Sequence, residues 1–323
     1  MRILVLGANG FVGTRLTAAL CKNTAFEDFP KIDDLLTTDL RGGRAGGTGD
    51  GVAAHTFLEG DISDPDFMLT LFEKPVDGVF HLAAALTLDA ETDFSKGMNT
   101  NVHALMRLLE LCRAQEKPPK FLFASSISSY GGKLPEVVDD FVFQTPQTSY
   151  GAHKAIAELL INDYTRRGFI DGRILRFPVI LTHPGPPTSS VSDRIASLIR
   201  EPLLGNEAIC HLAPDTPIAV ASADKIVESM IRLYMSPATA FGATRAVNQP
   251  ALTVTPSAIT QAVQKRLAPG SPGAVRWTSD PKMQAIVESW PAVFTSALAI
   301  ELGLSADASV DALIDSFEKH HHA

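Results

Sequence analysis

The chain has 323 residues, a net charge of −8 and 45% hydrophobic residues, so it is long enough to bury a large core. Its charges are interspersed, which argues against a nucleic-acid partner or a membrane-surface partner, and no apolar run approaches the ~20 residues that cross a bilayer. Three cysteines are too few for a full disulfide framework. Because a strand rather than a signal peptide opens the chain, we expect a reducing, cytoplasmic location.

The first predicted element is a strand over residues 2–6, followed directly by a glycine-rich turn and an apolar helix to about Lys22. The spacing of the turn is G-x-x-G-x-x-G. Glycines in this context allow a tight turn and the close approach of a pyrophosphate, and the helix N-terminus offers N–H groups to the phosphates. The candidate cofactor-binding residues here are Gly7, Asn9, Gly10, Phe11, Val12 and Gly13.

The second predicted strand, over 34–39, ends at Asp39. An acid at this point accepts hydrogen bonds from the adenosine ribose and repels a 2′-phosphate, which favours NAD over NADP. We interpret Arg41 and Arg44 as solvated loop residues, although they are also candidates for holding a 2′-phosphate. The glycine-rich run over 42–51 predicts a surface loop.

Strands and helices alternate through the first 180 residues. Strands are predicted over 2–6, 34–39, 54–59, 77–83, 120–126 and 171–181, with long helices over 95–116 and 149–168. The alternation predicts an α/β fold of the Rossmann type, a doubly wound parallel sheet. We expect an NAD-binding domain over 1–182, completed by about 218–250, and a smaller, discontinuous substrate lobe over 183–217 and 251–319.

Tyr150 and Lys154 lie one turn apart on the second long helix. An ammonium beside a phenol lowers its pKa, so this tyrosine can exchange a proton with an alcohol near neutral pH. No group of His, Cys, Asp and Glu has metal-ligand spacing once the histidines at 320–322 are set aside, so no metal is predicted.

The motifs occur in the order found in the extended short-chain dehydrogenase/reductase superfamily, the NAD-dependent epimerase/dehydratases, which the chain resembles. The resemblance rests on the glycine turn, Asp61-Ile62, His81-Leu82-Ala83-Ala84, Asn101-Val102, Ser125-Ser126 ahead of Tyr130, and Tyr150 with Lys154. It implies that Tyr150 takes the alcohol proton while the nicotinamide accepts a hydride. Lys154 would assist the phenol and bind the nicotinamide ribose.

The resemblance also implies roles for single residues. Asp61 and Ile62 would flank the adenine, while Leu82, Ala83 and Ala84 would line the cofactor, and Pro178 and Val179 would contact the carboxamide. Asn101 would support a helix bend and a proton-relay water. Ser126 and Ser128 would orient the reacting hydroxyl. His81 ends an apolar strand and is expected to be a packed core residue.

Within the superfamily, segments 134–140, 146–178, 199–203 and 288–292 resemble the D-erythronate dehydrogenase family. That resemblance implies NAD-dependent oxidation of the 2-hydroxyl of a small sugar acid. A carboxylate needs a cation or hydrogen-bond donors. The substrate-binding candidates are Thr87, Ser126, Ser128, Tyr150, Ser189 and Arg194. Pro217 stands where relatives often carry a basic residue, which leaves a changed substrate open.

Three other function classes share features with this sequence. A nucleotide-sugar epimerase shares the Tyr–Lys pair, but its relatives usually carry an Asn in the stretch that here runs from Arg176 to Gly185. A sugar dehydratase would place Thr-Asp-Glu where this chain has Ile127-Ser128-Ser129. Non-catalytic nucleotide-sensing proteins tend to lose the Tyr or the Lys of this pair, whereas this chain has both Tyr150 and Lys154.

The two long helices predict an assembly. They carry more apolar residues than one sheet face easily covers, namely Leu105, Met106, Leu109, Ile156, Leu159 and Leu160. Because these helices usually pair with their symmetry mates in the superfamily, we expect a twofold homodimer. The alternative is that the same residues only pack on the sheet.

Overall fold

The computed structural model describes residues 1–22, 29–42, 51–181, 190–267 and 273–321. Within them the strands, in chain order, are β1 (Arg2–Leu6), β2 (Asp34–Asp39), β3 (His55–Glu59), β4 (Gly78–His81), β5 (Lys120–Ser126), β6 (Val137–Val138), β7 (Asp171–Phe177), β8 (Val179–Leu181), β9 (Glu207–Cys210), β10 (Ile218–Ser222), β11 (Ala246–Asn248), β12 (Leu252–Val254), β13 (Ala274–Trp277) and β14 (Val293–Phe294).

The α-helices of the described residues are α1 (Phe11–Lys22), α2 (Pro65–Thr70), α3 (Thr87–Thr92), α4 (Phe94–Met98), α5 (Ala104–Arg113), α6 (Ser149–Arg166), α7 (Val191–Leu203), α8 (Ala223–Met235), α9 (Pro256–Gln264), α10 (Pro281–Glu288), α11 (Ala297–Glu301) and α12 (Val310–His321). A π-helical turn, Asn99–His103, joins α4 to α5. The helix predicted over 95–116 is therefore interrupted. No described helix is both long and apolar enough to cross a membrane.

The central sheet has seven parallel strands in the order β11-β7-β5-β4-β1-β2-β3. It confirms the predicted Rossmann-type fold and the strands predicted over 2–6, 34–39, 54–59, 77–83 and 120–126. Side chains of β1 alternate between the two faces, as strand geometry requires. Ile3 and Val5 pack with α1 and α8 on one face, whereas Leu4 and Leu6 pack with α2, α5 and α6 on the other.

The single strand predicted over 171–181 is wrong, because the chain changes sheet at Pro178. β7 ends at Phe177 and belongs to the central sheet, while β8 pairs with β10 in a three-stranded sheet that β12 completes. Proline has no N–H to donate to a strand ladder, so it breaks the pairing at this point. The break turns β8 toward a separate core.

That separate core lies around α7, α9 and α12 and includes Ile195, Val220, Ile259 and Phe317. After α8, strand β11 returns to the edge of the central sheet beside β7. The later part of the chain thus contributes both to the central sheet and to the separate core. The three cysteines are unpaired and buried, as expected for packed thiols.

Candidate active site

A cleft of about 670 Å³ runs along the carboxyl edge of the central sheet. It lies where the strand order reverses, with β2 on one side of β1 and β4 on the other. In doubly wound sheets, this switch point is where a ligand binds, because the connections leave a crevice between helices on opposite faces. Residues predicted to bind cofactor and substrate meet in this cleft.

The glycine turn forms one wall of the cleft, and its three glycines have different structural reasons. Gly7 has φ +84°, and a Cβ on it would lie 2.6 Å from Ala83 N. A Cβ on Gly13 would lie 2.0 Å from Gly7 O, which is a backbone clash. Gly10 differs, since its nearest contact would be Gly7 O at 3.2 Å. The fold alone nearly tolerates a side chain at Gly10, and the glycine there leaves space for a ligand to approach the backbone closely.

Asp39 lies at the end of β2 and lines the same part of the cleft. Its carboxylate accepts hydrogen bonds from Asn9 N at 2.9 Å and Leu40 N at 2.8 Å. These bonds hold the acid in place and leave it further acceptor capacity, as ribose hydroxyls require. Arg41 also lines the cleft and is exposed, whereas Arg44 lies outside the described residues.

The remaining predicted cofactor residues are nearly all in the cleft. Asp61, Ile62, Leu82, Ala83, Ala84 and Pro178 line it. Val179 does not, because it is 2% exposed and packs in the separate core. His81 is buried between Phe121 and Phe123, and burial lowers its pKa to about 3, which agrees with the expected core role.

Ser126, Tyr150 and Lys154, the predicted catalytic residues, line the same cleft. The Ser126 side chain lies close enough to the Tyr150 hydroxyl to lower its pKa, and Ser126 Oγ lies 2.6 Å from Ser128 Oγ. Thr148 caps α6 and accepts a hydrogen bond from Gly151 N, which sets the first turn of the helix. The serine pair and the phenol therefore converge on one point, where an alcohol oxygen can bind.

Burial controls the charges of Tyr150 and Lys154. It raises the pKa of Tyr150 to about 12, with Ser126 lowering it in part. It also lowers the pKa of Lys154 to about 7, and Glu158 opposes that shift. Lys154 Nζ donates to Ala124 O at 2.7 Å and lies 5.4 Å from the centroid of the Tyr150 ring. In the protein alone, the lysine is bonded to backbone rather than to the phenol.

Asn101 lies in the π-helical turn, where the bend was expected, but it does not line the cleft. Its side-chain amide forms two hydrogen bonds with the backbone of Ala85. Oδ1 accepts from Ala85 N at 2.8 Å, and Nδ2 donates to Ala85 O at 2.9 Å. Its Nδ2 also lies 3.2 Å from His153 Nδ1. Asn101 thus anchors the segment after β4, which forms a wall of the cleft.

Some of the predicted substrate-binding residues line the cleft and others do not. Thr87 and Ser128 line the cleft with Ser126 and Tyr150, whereas Arg194 does not and pairs with Asp280 at 3.9 Å. Ser189 lies outside the described residues, so its place in the site is not assigned. Sequence reasoning did not select several further lining residues, among them Asp89, Lys96, Thr100, Ser192, Asp193 and Trp290. Trp290 comes from a distant segment and carried no chemical motif of its own.

The donor set fits a dinucleotide. One cleft combines a turn that leaves room at Gly10, a helix N-terminus, the fixed carboxylate of Asp39 and apolar lining residues such as Ile62. These are the groups that would hold the phosphates, the ribose and the adenine. NAD bound there would supply a hydride acceptor beside Tyr150. No group of three or more His, Cys, Asp or Glu side chains in the described part of the chain is arranged for a metal.

Comparison with known proteins agrees with this assignment. Residues 3–215 match the NAD dependent epimerase/dehydratase family. Proteins named D-erythronate dehydrogenase from Cupriavidus necator and Haemophilus influenzae are 37% and 31% identical, each over 98% of this chain and 98% of their own. A crystal structure described as a nucleoside-diphosphate-sugar epimerase from Agrobacterium tumefaciens is 31% identical, with a TM-score of 0.88 over 100% of this chain and 94% of that one. The chain belongs to the NAD-dependent epimerase/dehydratase family, the extended short-chain dehydrogenases, and uses NAD.

Proposed function

We propose that this NAD-dependent oxidoreductase oxidises the 2-hydroxyl of a small sugar acid, such as D-erythronate, to the 2-oxo acid. The observation that carries the proposal is the convergence of Ser126, Tyr150 and Lys154 at one end of the cofactor cleft. The near full-length similarity to two proteins named D-erythronate dehydrogenase supports the choice of substrate class.

In this proposal Tyr150 removes the hydroxyl proton. Its pKa of about 12 in the protein alone is too high for a base at neutral pH, so positive charge must lower it during turnover. The Lys154 ammonium lies 5.4 Å from the centroid of the Tyr150 ring, and NAD⁺ bound in the cleft would add the positive charge of its nicotinamide. Ser126, with Ser128 bonded to it, orients the substrate oxygen.

The substrate carboxylate needs a positively charged or hydrogen-bonding partner. Arg194 lies off the cleft, with one guanidinium nitrogen 3.9 Å from Asp280. Among the described cations of the cleft, Arg41 is beside the ribose acid and Lys154 is beside the phenol, which leaves Lys96 on α4. We assign the carboxylate to Lys96, with Thr87 on the neighbouring helix as a hydrogen-bonding partner.

The test is a panel of aldonates, uronates and simple hydroxy acids, each offered with NAD⁺ while absorbance follows reduction of the cofactor. We expect the highest kcat/KM for a four-carbon 2-hydroxy acid. Turnover of polyols at the same rate as the acids would contradict a carboxylate-binding site. Absence of turnover with every acid would reject the proposal.

Nucleotide-sugar epimerisation is the second candidate, favoured by the crystal structure described above as a nucleoside-diphosphate-sugar epimerase. An epimerase returns its cofactor to the oxidised form in each cycle, so it interconverts two sugars without net reduction of NAD. Incubation with nucleotide sugars, followed by chromatographic separation of the epimers, distinguishes the two functions directly.

The proposed domain division assigns 1–182, completed by about 218–250, to NAD binding, and 183–217 with 251–319 to the substrate lobe. It is supported by the separate core around α7, α9 and α12, and by Trp290, which reaches the cleft from the later part of the chain. Ser192 and Asp193, at the start of α7, line the cleft as well.

We also propose that the protein is a homodimer in the cytoplasm. Leu105 and Leu109 are fully buried against the central sheet, but Met106, Ile156 and Leu159 are exposed on α5 and α6. Leu159 is 70% exposed, and several exposed apolar side chains on two helices in contact with each other are typical of a surface that another chain covers. Unpaired, buried cysteines support a reducing compartment.

A further inference from the structure

Lys154 occupies a site that is poorly suited to a cation. Lys154 is 4% exposed, and within the described part of the chain its ammonium donates one hydrogen bond, to Ala124 O at 2.7 Å. The ammonium lies 4.5 Å from the centroid of the Phe123 ring and 5.4 Å from that of Tyr150. The two rings and one carbonyl replace little of the hydration that an ammonium loses on burial.

Glu158 lies one turn further along α6, on the same face as Lys154, and is 2% exposed. Its carboxylate is held from three directions. Arg176 on β7 contacts it at 2.7, 3.0 and 3.1 Å, Gln144 Nε2 donates to it at 3.0 Å, and Ser125 Oγ on β5 donates to it as well. The negative charge is therefore fixed in position relative to both β5 and α6.

The other titratable groups near Lys154 do not supply negative charge. His81 on β4 is neutral, and burial lowers the pKa of His153 on α6. Tyr150 keeps its proton because burial raises its pKa. Arg176 on β7 is a cation and is paired with the Glu158 carboxylate at 2.7 Å. Among the described groups that act on Lys154, Glu158 provides the stabilising charge.

We propose that Glu158 is a positioning residue that keeps the buried side chain of Lys154 in its ammonium form, beside the phenol of Tyr150. Arg176 tunes this effect because it is paired with that carboxylate at 2.7 Å and offsets part of its negative charge. The consequence for turnover rests on the role proposed for Lys154, whereas the charge state of Lys154 can be measured without any substrate.

The experiment follows the pH dependence of Lys154 acetylation by acetic anhydride in the full-length protein, read by peptide mass spectrometry, with exposed Lys133 as the internal reference. Glu158→Gln keeps the size of the side chain but removes its charge and replaces one accepting oxygen by an amide NH2. In this variant we expect the titration midpoint of Lys154 to fall by about 1 to 2 pH units. Arg176→Gln also breaks the ion pair between Arg176 and Glu158, but it keeps the Glu158 charge. It should therefore raise the titration midpoint of Lys154.

The sign separates this role from a purely structural one. A loosened core admits water, which raises the titration midpoint of a buried lysine toward its ordinary value. If Glu158→Gln only loosened the core, the midpoint of Lys154 would therefore rise rather than fall. An unchanged or raised titration in Glu158→Gln overturns the proposal. If that variant does not fold, Glu158→Asp retracts the charge by one methylene and should lower the titration by a smaller amount; an unchanged value there also overturns it.

The pH profile of kcat then tests the proposed function separately. If the Lys154 ammonium assists Tyr150, the alkaline limb of kcat moves to lower pH in Glu158→Gln. A lowered Lys154 titration with an unmoved alkaline limb would support the role of Glu158 and reject the catalytic role of the lysine charge.

Discussion

The glycines of the turn offer a matched pair of substitutions with opposite consequences. In Gly13→Ala, the new methyl would lie 2.0 Å from Gly7 O and 2.9 Å from the Cα and C atoms of Ala8. These are backbone atoms that cannot rotate away, so we expect a destabilisation of at least ~3 kcal/mol, the upper end of the range for overpacked sites. The gain of about 1 kcal/mol from replacing glycine by alanine in a helix offsets only part of it.

Gly10→Ala should behave differently, because its methyl would meet Gly7 O at 3.2 Å and little else. We expect stability within about 1 kcal/mol of wild type but at least a tenfold weaker Kd for NAD, or about 1.4 kcal/mol, since the methyl occupies the space where a pyrophosphate approaches. Urea denaturation and isothermal titration calorimetry measure the two quantities. Wild-type NAD affinity in Gly10→Ala, or wild-type stability in Gly13→Ala, would refute the steric reasoning.

Five further substitutions test the site and the assembly. Tyr150→Phe should remove nearly all turnover with little change in the Kd for NAD, whereas Lys154→Met should impair both; more than a few per cent of wild-type kcat in Tyr150→Phe would contradict its role as the base. Asp39→Ala should reduce the preference for NAD⁺ over NADP⁺ in kcat/KM, and a wild-type enzyme that prefers NADP⁺ would be evidence against the ribose assignment. Lys96→Met should raise KM for the sugar acid roughly tenfold at unchanged NAD affinity; the reverse pattern would move Lys96 to the cofactor. Leu159→Arg should convert a dimer to a monomer in light scattering, and a wild-type mass near 34.6 kDa would exclude the dimer from the start.

Most of the cofactor-binding residues could be predicted from the sequence, because short segments of the chain carry the necessary patterns. A buried strand followed by spaced glycines has few structural solutions, and Asp39 and the Tyr150–Lys154 pair lie at fixed offsets within single elements. The alternation of strands and helices then implies a parallel sheet, because parallel strands need crossover helices. These features depend on contacts between residues close in the chain, which periodicity and spacing record.

The rest depended on contacts between distant segments. Pro178 could be recognised as a break, but only the pairing of β8 with β10 shows where the chain goes next. Whether an arginine faces a ligand or an acid is likewise a tertiary question: Arg194 meets Asp280, 86 residues later in the chain. Trp290 enters the cleft from the far end of the sequence. The sequence by itself determined the fold class and the cofactor, because local patterns encode them. Only the tertiary structure decided which charges face the cleft, because burial and ion pairing arise after distant segments pack.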